Sequence, residues 1–376
     1  MKSELIATAT FGLEAVVKRE LQNLDFKILK SEDGKITYQG DENAIAKSNL
    51  WLRTADRVLI KLGEFKALDF ESLFQGVKAI PWEKFIDENG NFKIDATSVK
   101  SKLSSVPSCQ SVSEKAVVSK LQETFGEQRF SKSGADYTIK VSILKDTVTV
   151  TLDTTGSGLH KRTYRTRNVE APIKETLAAA LVQLTFWKEG RLLVDPFCGS
   201  GTIPIEAAMI GKNIAPGLDR TFVSESWPVM DKSVWSSERK KAYKSIKHDG
   251  DVRIKASDID KKAVEAAREN ALNAGVDDCI DFKIMPFSKI EAEEGNGIII
   301  TNIPYGERIG EEKELKRIYA DMGKFFSENP TWSLFLITSD RSFEKRALKR
   351  PADRRRKLYN GRIETTYYQY YGKKSY

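Results

Sequence analysis

Hydrophobic and polar positions follow one another differently in the two halves of the chain. In the first half, short helical and strand patterns succeed each other in the order typical of small α+β layers. Apolar residues at helical spacing predict helices over 12–24, from Phe70 and over 113–125, and alternating runs predict strand pairs around Asp33-Gly34 and Lys145-Asp146.

From Pro172 onward, helices and strands alternate in the way that builds a parallel sheet covered on both faces. Strands are predicted at the apolar runs 191–195, 252–257, 280–284, 297–301 and 332–338, and helices over 174–188 and 261–274. The final run IETTYYQYYG alternates as an antiparallel edge strand does. The stretch 212–250 is too long for a simple connection, so we expect an insertion that carries its own helix and borders the functional site.

Length and charge narrow the class of protein. A chain of 376 residues is too long for one hydrophobic core, so at least two domains are expected. No apolar run approaches the roughly 20 residues of a membrane-spanning helix, and the N-terminus, with Glu4 and Glu14, makes a poor signal peptide. We therefore expect a soluble, cytoplasmic protein. The net charge of +8 favours a polyanionic partner.

Cysteine and histidine are scarce. Cys109, Cys198 and Cys279 are too few and too widely separated for a disulfide framework or a zinc ribbon, so reduced thiols and no metal site are expected. His160 and His248 belong to no recognisable constellation, which argues against histidine acid–base chemistry.

The most informative motif, DPFCGSGT, lies between an apolar strand and a helical run. Open α/β sheets bind ligands where a strand, a glycine-rich turn and a helix meet, and glycine lets a ligand approach the backbone closely. The pattern is neither G-x-G-x-x-G nor a P-loop. The candidates for a cofactor-binding loop are Asp195, Phe197, Gly199, Ser200, Gly201 and Thr202.

Two acids stand at the end of the next predicted strand, in ASDID. Asp258 is placed where a carboxylate accepts both ribose hydroxyls of a nucleoside. Asp260 precedes the helix predicted from 261, and helix capping is the simpler interpretation of its role. Capping remains the alternative for Asp258 as well.

The third motif, TNIPYGER, directly follows a buried strand. The side-chain oxygen of Asn302 and the carbonyl of Pro304 are a suitable pair to accept both hydrogens of a planar exocyclic amine, while Tyr305 stacks on its base. This arrangement aims the amine lone pair at an electrophile, and positioning supplies most of the catalysis. We therefore predict Asn302, Pro304 and Tyr305 as catalytic residues.

The three motifs resemble the nucleoside-methionine loop, the ribose acid and the (Asn/Asp)-Pro-Pro-(Tyr/Phe) motif of class I amino-methyltransferases. With LDTTGSGLHKRTYR, APIKETLAAAL and KLYNGRIETTYYQYY, nearly the whole chain is similar to the bacterial THUMP-domain guanine-N2 methyltransferases of ribosomal RNA. The resemblance implies S-adenosylmethionine as cofactor and structured RNA, above all ribosomal RNA, as partner. No obligate protein partner is evident.

The same resemblance implies an α/β fold in three parts. A ferredoxin-like domain is expected over 1–65, a THUMP RNA-binding domain over 66–160, and a Rossmann-like methyltransferase domain over 161–376. The first two are α+β domains that bind RNA, and the third carries the chemistry.

Two departures from the family pattern affect the specificity. Ile303 replaces the first proline of the catalytic motif, as in ribosomal-RNA dimethyladenosine transferases, so guanine and adenine both remain open as targets. Many relatives have an acid after the third strand to hold the cofactor adenine, whereas this chain has KIMPFS. Apolar packing by Met285 and Phe287 and backbone groups are the alternative there.

Basic residues cluster at 161–167 and 354–357, interleaved with Tyr164 and Tyr359. Phosphates attract such charges and exposed bases stack on such rings, although a solvated surface is the alternative interpretation of each cluster.

The favoured function is N2-methylation of a guanine in 23S ribosomal RNA. A DNA adenine-N6 methyltransferase shares the catalytic motif, but the first half lacks a recognition helix or a zinc finger. An RNA-binding assembly factor without turnover is the third hypothesis, and the intact Asn302, Pro304 and Tyr305 count against it.

Overall fold

The computed structural model describes residues 3–126, 132–166, 173–293, 295–303 and 311–373. The described residues form two compact units, each built on a seven-stranded sheet. Neither unit is one continuous stretch of the chain. The first comprises Met1–Ala9, Val17–Leu159 and Arg220–Lys241, and the second comprises Thr10–Val16, His160–Asp219 and Ala242–Tyr376. The boundaries at 65 and 160 stay predictions.

The sheet of the first unit has the strand order β2-β3-β1-β4-β7-β6-β5, in which only β5 and β6 pair in parallel among the described strands. Both predicted hairpins are confirmed, since β2 and β3 meet at Asp33-Gly34, and β6 and β7 meet at Lys145-Asp146. The strands are β1 Ser3–Ala9, β2 Ile28–Glu32, β3 Lys35–Gly40, β4 Ala55–Lys66, β5 Asn91–Val99, β6 Asp136–Leu144 and β7 Thr147–Asp153.

Helices of the first half pack their apolar residues against this sheet. The predicted helices are present, but the last one starts well before residue 113, because Ser105 caps it and a proline occupies its first turn. The second helix, which Asp41 caps, was not predicted from the sequence. The helices are α1 Glu14–Asn23, α2 Glu42–Trp51, α3 Phe70–Lys78 and α4 Val106–Phe125.

The insertion carries the expected helix, α7 Lys232–Lys244. Its residues 220–241 belong to the first unit, where Trp227 stacks on Tyr137 with ring centroids 5.0 Å apart. The Trp227 indole also donates to the Asp136 carbonyl over 3.0 Å. The insertion therefore completes the core of the first unit, and its predicted position beside the functional site stays a prediction.

The sheet of the second unit has the strand order β10-β9-β8-β11-β12-β14-β13. The first five of these strands are parallel, and β14 is antiparallel to both of its neighbours. The strands are β8 Leu193–Asp195, β9 Ile254–Asp258, β10 Ile280–Ile284, β11 Ile298–Asn302, β12 Ser333–Thr338, β13 Arg354–Asn360 and β14 Ile363–Tyr370.

The final run was correctly predicted as antiparallel but wrongly predicted as the edge of the sheet. The edge strand is β13, and β14 lies inside it. The strand β13 was not predicted, because RRRKLYN has no apolar alternation and Leu358 is its single fully buried side chain.

Helices cover both faces of the parallel strands, as the sequence predicted. One core contains apolar residues of α5, α6 and α8, and the other contains Leu315, Tyr319 and Phe325 of α9. The helices of the second unit are α5 Glu175–Gln183, α6 Thr202–Gly211, α8 Lys261–Asn273 and α9 Glu311–Glu328. The arrangement is a Rossmann-like α/β fold. In the described residues, no helix has the length and apolarity needed to span a bilayer.

Candidate functional site

The strand order in the sheet of the second unit changes direction at β8, and the candidate residues gather there. From β8 the chain runs outward to β9 and β10, then returns to β11 on the other side of β8. Open α/β sheets bind ligands at such a switch point, at the carboxyl ends of the strands. Asp195 ends β8, Asp258 ends β9 and Asn302 ends β11, so the fold brings the three motifs to one edge.

The glycine-rich turn takes a shape that its two glycines permit. Gly199 and Gly201 have φ values of 52° and 82°, in the left-handed region. A Cβ atom on Gly201 would lie 3.0 Å from that of Ala267, so α6 and α8 pack closely here. In the described residues no side chain caps α6, which leaves its first N–H groups for a ligand.

Asp258 binds the glycine-rich turn from the neighbouring strand. One of its carboxylate oxygens accepts from the Gly199 N–H over 3.0 Å, and the other accepts from the Asp260 N–H over 3.0 Å. Each oxygen has a second lone pair with which to accept a ribose hydroxyl. Asp260 accepts from the Lys262 N–H over 2.8 Å at the start of α8, which confirms its capping role.

Asp195 is a buried carboxylate, 1% exposed. Its Oδ1 accepts from the Thr301 hydroxyl over 2.6 Å and from the Phe197 N–H over 3.2 Å. The pKa of Asp195 is raised to about 7: burial is the main cause, the nearby Asp258 adds to the rise, and the two hydrogen bonds oppose it. A cationic ligand beside this carboxyl would therefore favour its ionised form at neutral pH.

The catalytic motif is described only at its beginning. Asn302 is half-buried at the end of β11, and Ile303 is 1% exposed in the apolar core beside Leu315 and Phe325. Pro304 and Tyr305 lie outside the described residues, so their predicted roles stay predictions.

The turn after β10 carries Met285 and Phe287, the residues considered for packing against the cofactor adenine. Phe287 is 4% exposed and lies parallel to the Phe197 ring at 5.9 Å, so it supports that ring from within the core. The Met285 N–H donates to the Asp258 carbonyl over 3.0 Å.

A cavity of about 600 Å³ opens beside this turn, and its lining includes Ser257, Met285 and Ser288. The hydroxyl of Ser257 is buried without a hydrogen-bond partner in the described part of the chain. At the neighbouring strand ends, the Asp258 and Asp195 carboxylates and the backbone N–H groups of the glycine-rich turn fit the diol and the cationic end of an S-adenosyl nucleoside.

Two residues of the first basic cluster, Arg162 and Tyr164, do not lie on a solvent-exposed surface, whereas Lys161 is exposed. The side chain of Arg162 is 1% exposed and lies 3.3 Å from the buried carboxylate of Glu206. The Tyr164 hydroxyl donates to the same carboxylate over 3.1 Å, and its ring is buried. Neither side chain is available to RNA, because both pack into the core against α6. Arg167 lies outside the described residues.

Two further residues hold the glycine-rich turn: Arg165, which the sequence placed in the basic cluster 161–167, and Asn270, which was not predicted. Arg165 pairs with Glu175 over 3.2 Å and donates to the Thr202 hydroxyl over 2.8 Å. Asn270 is fully buried in α8 and donates to the Ser200 carbonyl over 3.0 Å. An asparagine on the alanine-rich buried face of a helix was the signal that would have found it.

The second basic cluster, 354–357 on β13, remains accessible. Arg355 and Lys357 pair with Glu344 and Glu364, yet their side chains stay more than half exposed. Tyr359 is half-buried and meets Phe11 edge-on at 6.1 Å. Where the chain is described, no group of histidine, cysteine and acidic side chains could hold a metal ion.

Models of known families match three consecutive parts of the chain. An RlmL ferredoxin-like domain matches 4–59, a THUMP domain matches 67–153, and an RMKL-like methyltransferase domain matches 162–369. The last match alone covers more than half of the chain.

Individual proteins agree with this assignment. "Putative RNA methyltransferase YpsC" of Bacillus subtilis is 49% identical over 99% of this chain and 97% of its own length. "Ribosomal RNA large subunit methyltransferase K/L" of Psychromonas ingrahamii is 35% identical over 97% of this chain. This chain spans 49% of that relative's length.

A solved structure, "SMU.472, a putative methyltransferase complexed with SAH", has a TM-score of 0.94 and 44% identity. The match covers 100% of this chain and 99% of the other. Together with the site geometry, these matches show that the chain belongs to the THUMP-domain family of class I, S-adenosylmethionine-dependent RNA methyltransferases.

Proposed function

We propose that this chain transfers the methyl group of S-adenosylmethionine to N2 of a guanine in 23S ribosomal RNA. The observation that carries the methyl-transfer part of the proposal is the 2.6 Å hydrogen bond between Asp195 and Thr301, because it joins the cofactor-binding turn to the residue before Asn302. The choice of guanine rests on the resemblance of the sequence motifs to the guanine-N2 methyltransferases. The named ribosomal RNA methyltransferase, 35% identical to this chain, supports the choice of RNA. The compartment that suits this substrate is the cytoplasm.

The cofactor supplies an activated methyl group, and the chain supplies positions for the reacting atoms. Asp258 is proposed to accept the ribose hydroxyls, and the negative charge of Asp195 is proposed to favour the cationic methionine end. SAH, held by SMU.472, is the product that remains after such a cofactor has lost its methyl group.

Asn302 and the Pro304 carbonyl are proposed to accept the two amine hydrogens, while Tyr305 stacks on the base. The amine nitrogen then forms a bond to the methyl carbon as the carbon–sulfur bond breaks, and the extra proton leaves to water. No strong base is needed, since positioning and desolvation supply most of the rate.

The proposal is tested by incubating the full-length protein with labelled cofactor and nucleic acid from a strain that lacks the gene. We expect label in large-subunit ribosomal RNA, and digestion with mass spectrometry should identify N2-methylguanosine. Label in DNA as N6-methyladenine would support the DNA methyltransferase instead. Cofactor and RNA binding without any label would support the assembly factor.

A further inference from the structure

The strand that delivers the catalytic motif carries one buried hydroxyl among isoleucines. The run Ile298–Ile300 is fully buried, and Thr301, equally buried, follows it directly. Valine has the same branched shape as threonine, so apolar packing alone does not require the hydroxyl. A hydroxyl in such surroundings is costly unless it has a partner.

The partner of this hydroxyl is the Asp195 carboxylate. The Thr301 Oγ1 to Asp195 Oδ1 distance of 2.6 Å is in the range of a charge-assisted O–H···O⁻ hydrogen bond. The same Oδ1 accepts from the Phe197 N–H, at the start of the glycine-rich turn, over 3.2 Å. One buried oxygen therefore bonds both the cofactor-binding turn and the strand that ends in Asn302.

We infer that Thr301 is a positioning residue, whose hydroxyl holds the Asp195 carboxylate and thereby keeps the cofactor-binding turn and Asn302 in register. The inference rests on the proposed function and adds a role that Asn302, Pro304 and Tyr305 do not supply. β8 and β11 are parallel neighbours, so a shift of either strand end would stretch this bond.

The hydroxyl also favours the charged form of Asp195. A donated hydrogen bond stabilises a carboxylate, so its loss raises the pKa of that carboxyl. Among the described titratable groups, Asp258 raises the pKa of Asp195. The Cys198 thiol interacts with the same carboxyl, but burial raises the pKa of this thiol well above its usual value, so it stays neutral. With the Thr301 hydrogen bond present, the pKa of Asp195 is about 7, so the further rise expected on losing that bond would protonate the carboxyl at neutral pH.

The test compares Thr301→Val, which removes the hydroxyl at constant shape, with Thr301→Ser, which keeps it. Calorimetry measures S-adenosylmethionine affinity between about pH 5.5 and 8.5, and single-turnover assays measure methylation. In the unmodified protein, affinity should rise with pH as Asp195 ionises. Thr301→Val should move the midpoint to higher pH and lower methylation at neutral pH by about tenfold or more. Thr301→Ser should retain both properties, and Asp195→Asn should remove the pH dependence.

The outcomes separate this inference from the proposed function. If Thr301→Val keeps the midpoint and the rate of the unmodified protein, or if Thr301→Ser is impaired as strongly as Thr301→Val, the positioning role is wrong. If the unmodified protein itself labels no RNA, the proposed function fails, and the calorimetric comparison still decides whether the hydroxyl controls Asp195. Should Thr301→Val fail to fold, Thr301→Ala against Thr301→Ser makes the same comparison.

Discussion

Single polar atoms at the strand ends hold the candidate site together. The two oxygens of Asp258 accept from Gly199 and Asp260, so this side chain orders the turn that it shares with the proposed cofactor. Asn302 has a different place, since it ends β11 and leads into the catalytic motif. The two residues should therefore fail in different ways when they are changed.

Asp258→Ala should weaken S-adenosylmethionine binding by about 1.5–3 kcal/mol, because hydrogen bonds to a charged acceptor are lost. Isothermal calorimetry measures this change. The matched control is Asp260→Ala, which removes a helix cap worth about 1 kcal/mol of stability and should leave the affinity nearly unchanged. Equal affinities for Asp258→Ala and the unmodified protein would remove Asp258 from the site.

Asn302→Ala should leave the dissociation constant of the cofactor within a few-fold but lower single-turnover methylation by about 100-fold or more, a barrier increase of roughly 2.7 kcal/mol. The physical reason is that Asn302 is proposed to act on the target amine and not on the cofactor. Tyr305→Ala should also reduce turnover, and Tyr305→Phe should be milder because its stacking face remains. An Asn302→Ala variant that methylates at the normal rate would overturn this mechanism.

At the scale of elements, a segment between α6 and β9 of the second unit is part of the core of the first unit. Residues 220–241 supply Trp227, 2% exposed, to the first unit, where its ring covers Tyr137. A fragment that ends at residue 160 would lack this segment and expose the ring of Tyr137. Tests of RNA binding by the N-terminal half should therefore use the full chain.

Trp227→Ala should destabilise the first unit by about 3–5 kcal/mol, the usual cost of deleting a buried aromatic side chain. Hydrogen exchange of the β6 and β7 amides is the suitable measurement, because two units need not unfold in one transition. Trp227→Phe keeps part of the ring contact and should lose less. Unchanged exchange in β6 would show that the insertion does not support this sheet.

The Arg162–Glu206 ion pair is buried in the second unit, so the loss of either side chain should destabilise that unit. Removing one partner leaves the other charge buried, so Arg162→Met should destabilise the protein by about 3–5 kcal/mol. Thermal unfolding, monitored through the signals of the α6 and β8 amides, measures this loss of stability. If the variant has normal stability but weak RNA binding, Arg162 contacts RNA after all.

At the scale of the whole molecule, charge is the property that bears on RNA. The net charge of +8 includes exposed Arg354, whereas Arg162 is buried and contributes no accessible cation. Counterion release makes phosphate contacts salt-dependent, whatever the sequence of the RNA.

RNA affinity of the full-length protein should fall with salt, with a log–log slope of about −0.7 to −0.9 for each phosphate contacted. Arg354→Ala should reduce both the affinity and the slope, measured by fluorescence anisotropy. Lys324→Ala removes a charge from another exposed site of the second unit, with a side chain 74% exposed, and serves as the control. Equal slopes for all three proteins would exclude the 354–357 cluster from the RNA interface.

The amino-acid sequence by itself determined the fold class and most of the strands. Apolar runs of the right length predict buried strands without knowledge of their neighbours, and glycine-rich or acidic motifs at strand ends predict a ligand site. Asp195, Asp258 and Asn302 were found in this way, and all three gather at one sheet edge. The THUMP and methyltransferase family was recognisable from the same motifs.

Only the tertiary structure decided which polar groups are buried together. Arg162 and Tyr164 look like a basic surface in the sequence, but α6 covers them, and burial depends on contacts between residues far apart in the chain. The same reason hid the edge strand β13, which its neighbour β14 defines, and the place of residues 220–241 in the first unit. The bond from Thr301 to Asp195 spans two strands distant in sequence, so no local pattern could have predicted it.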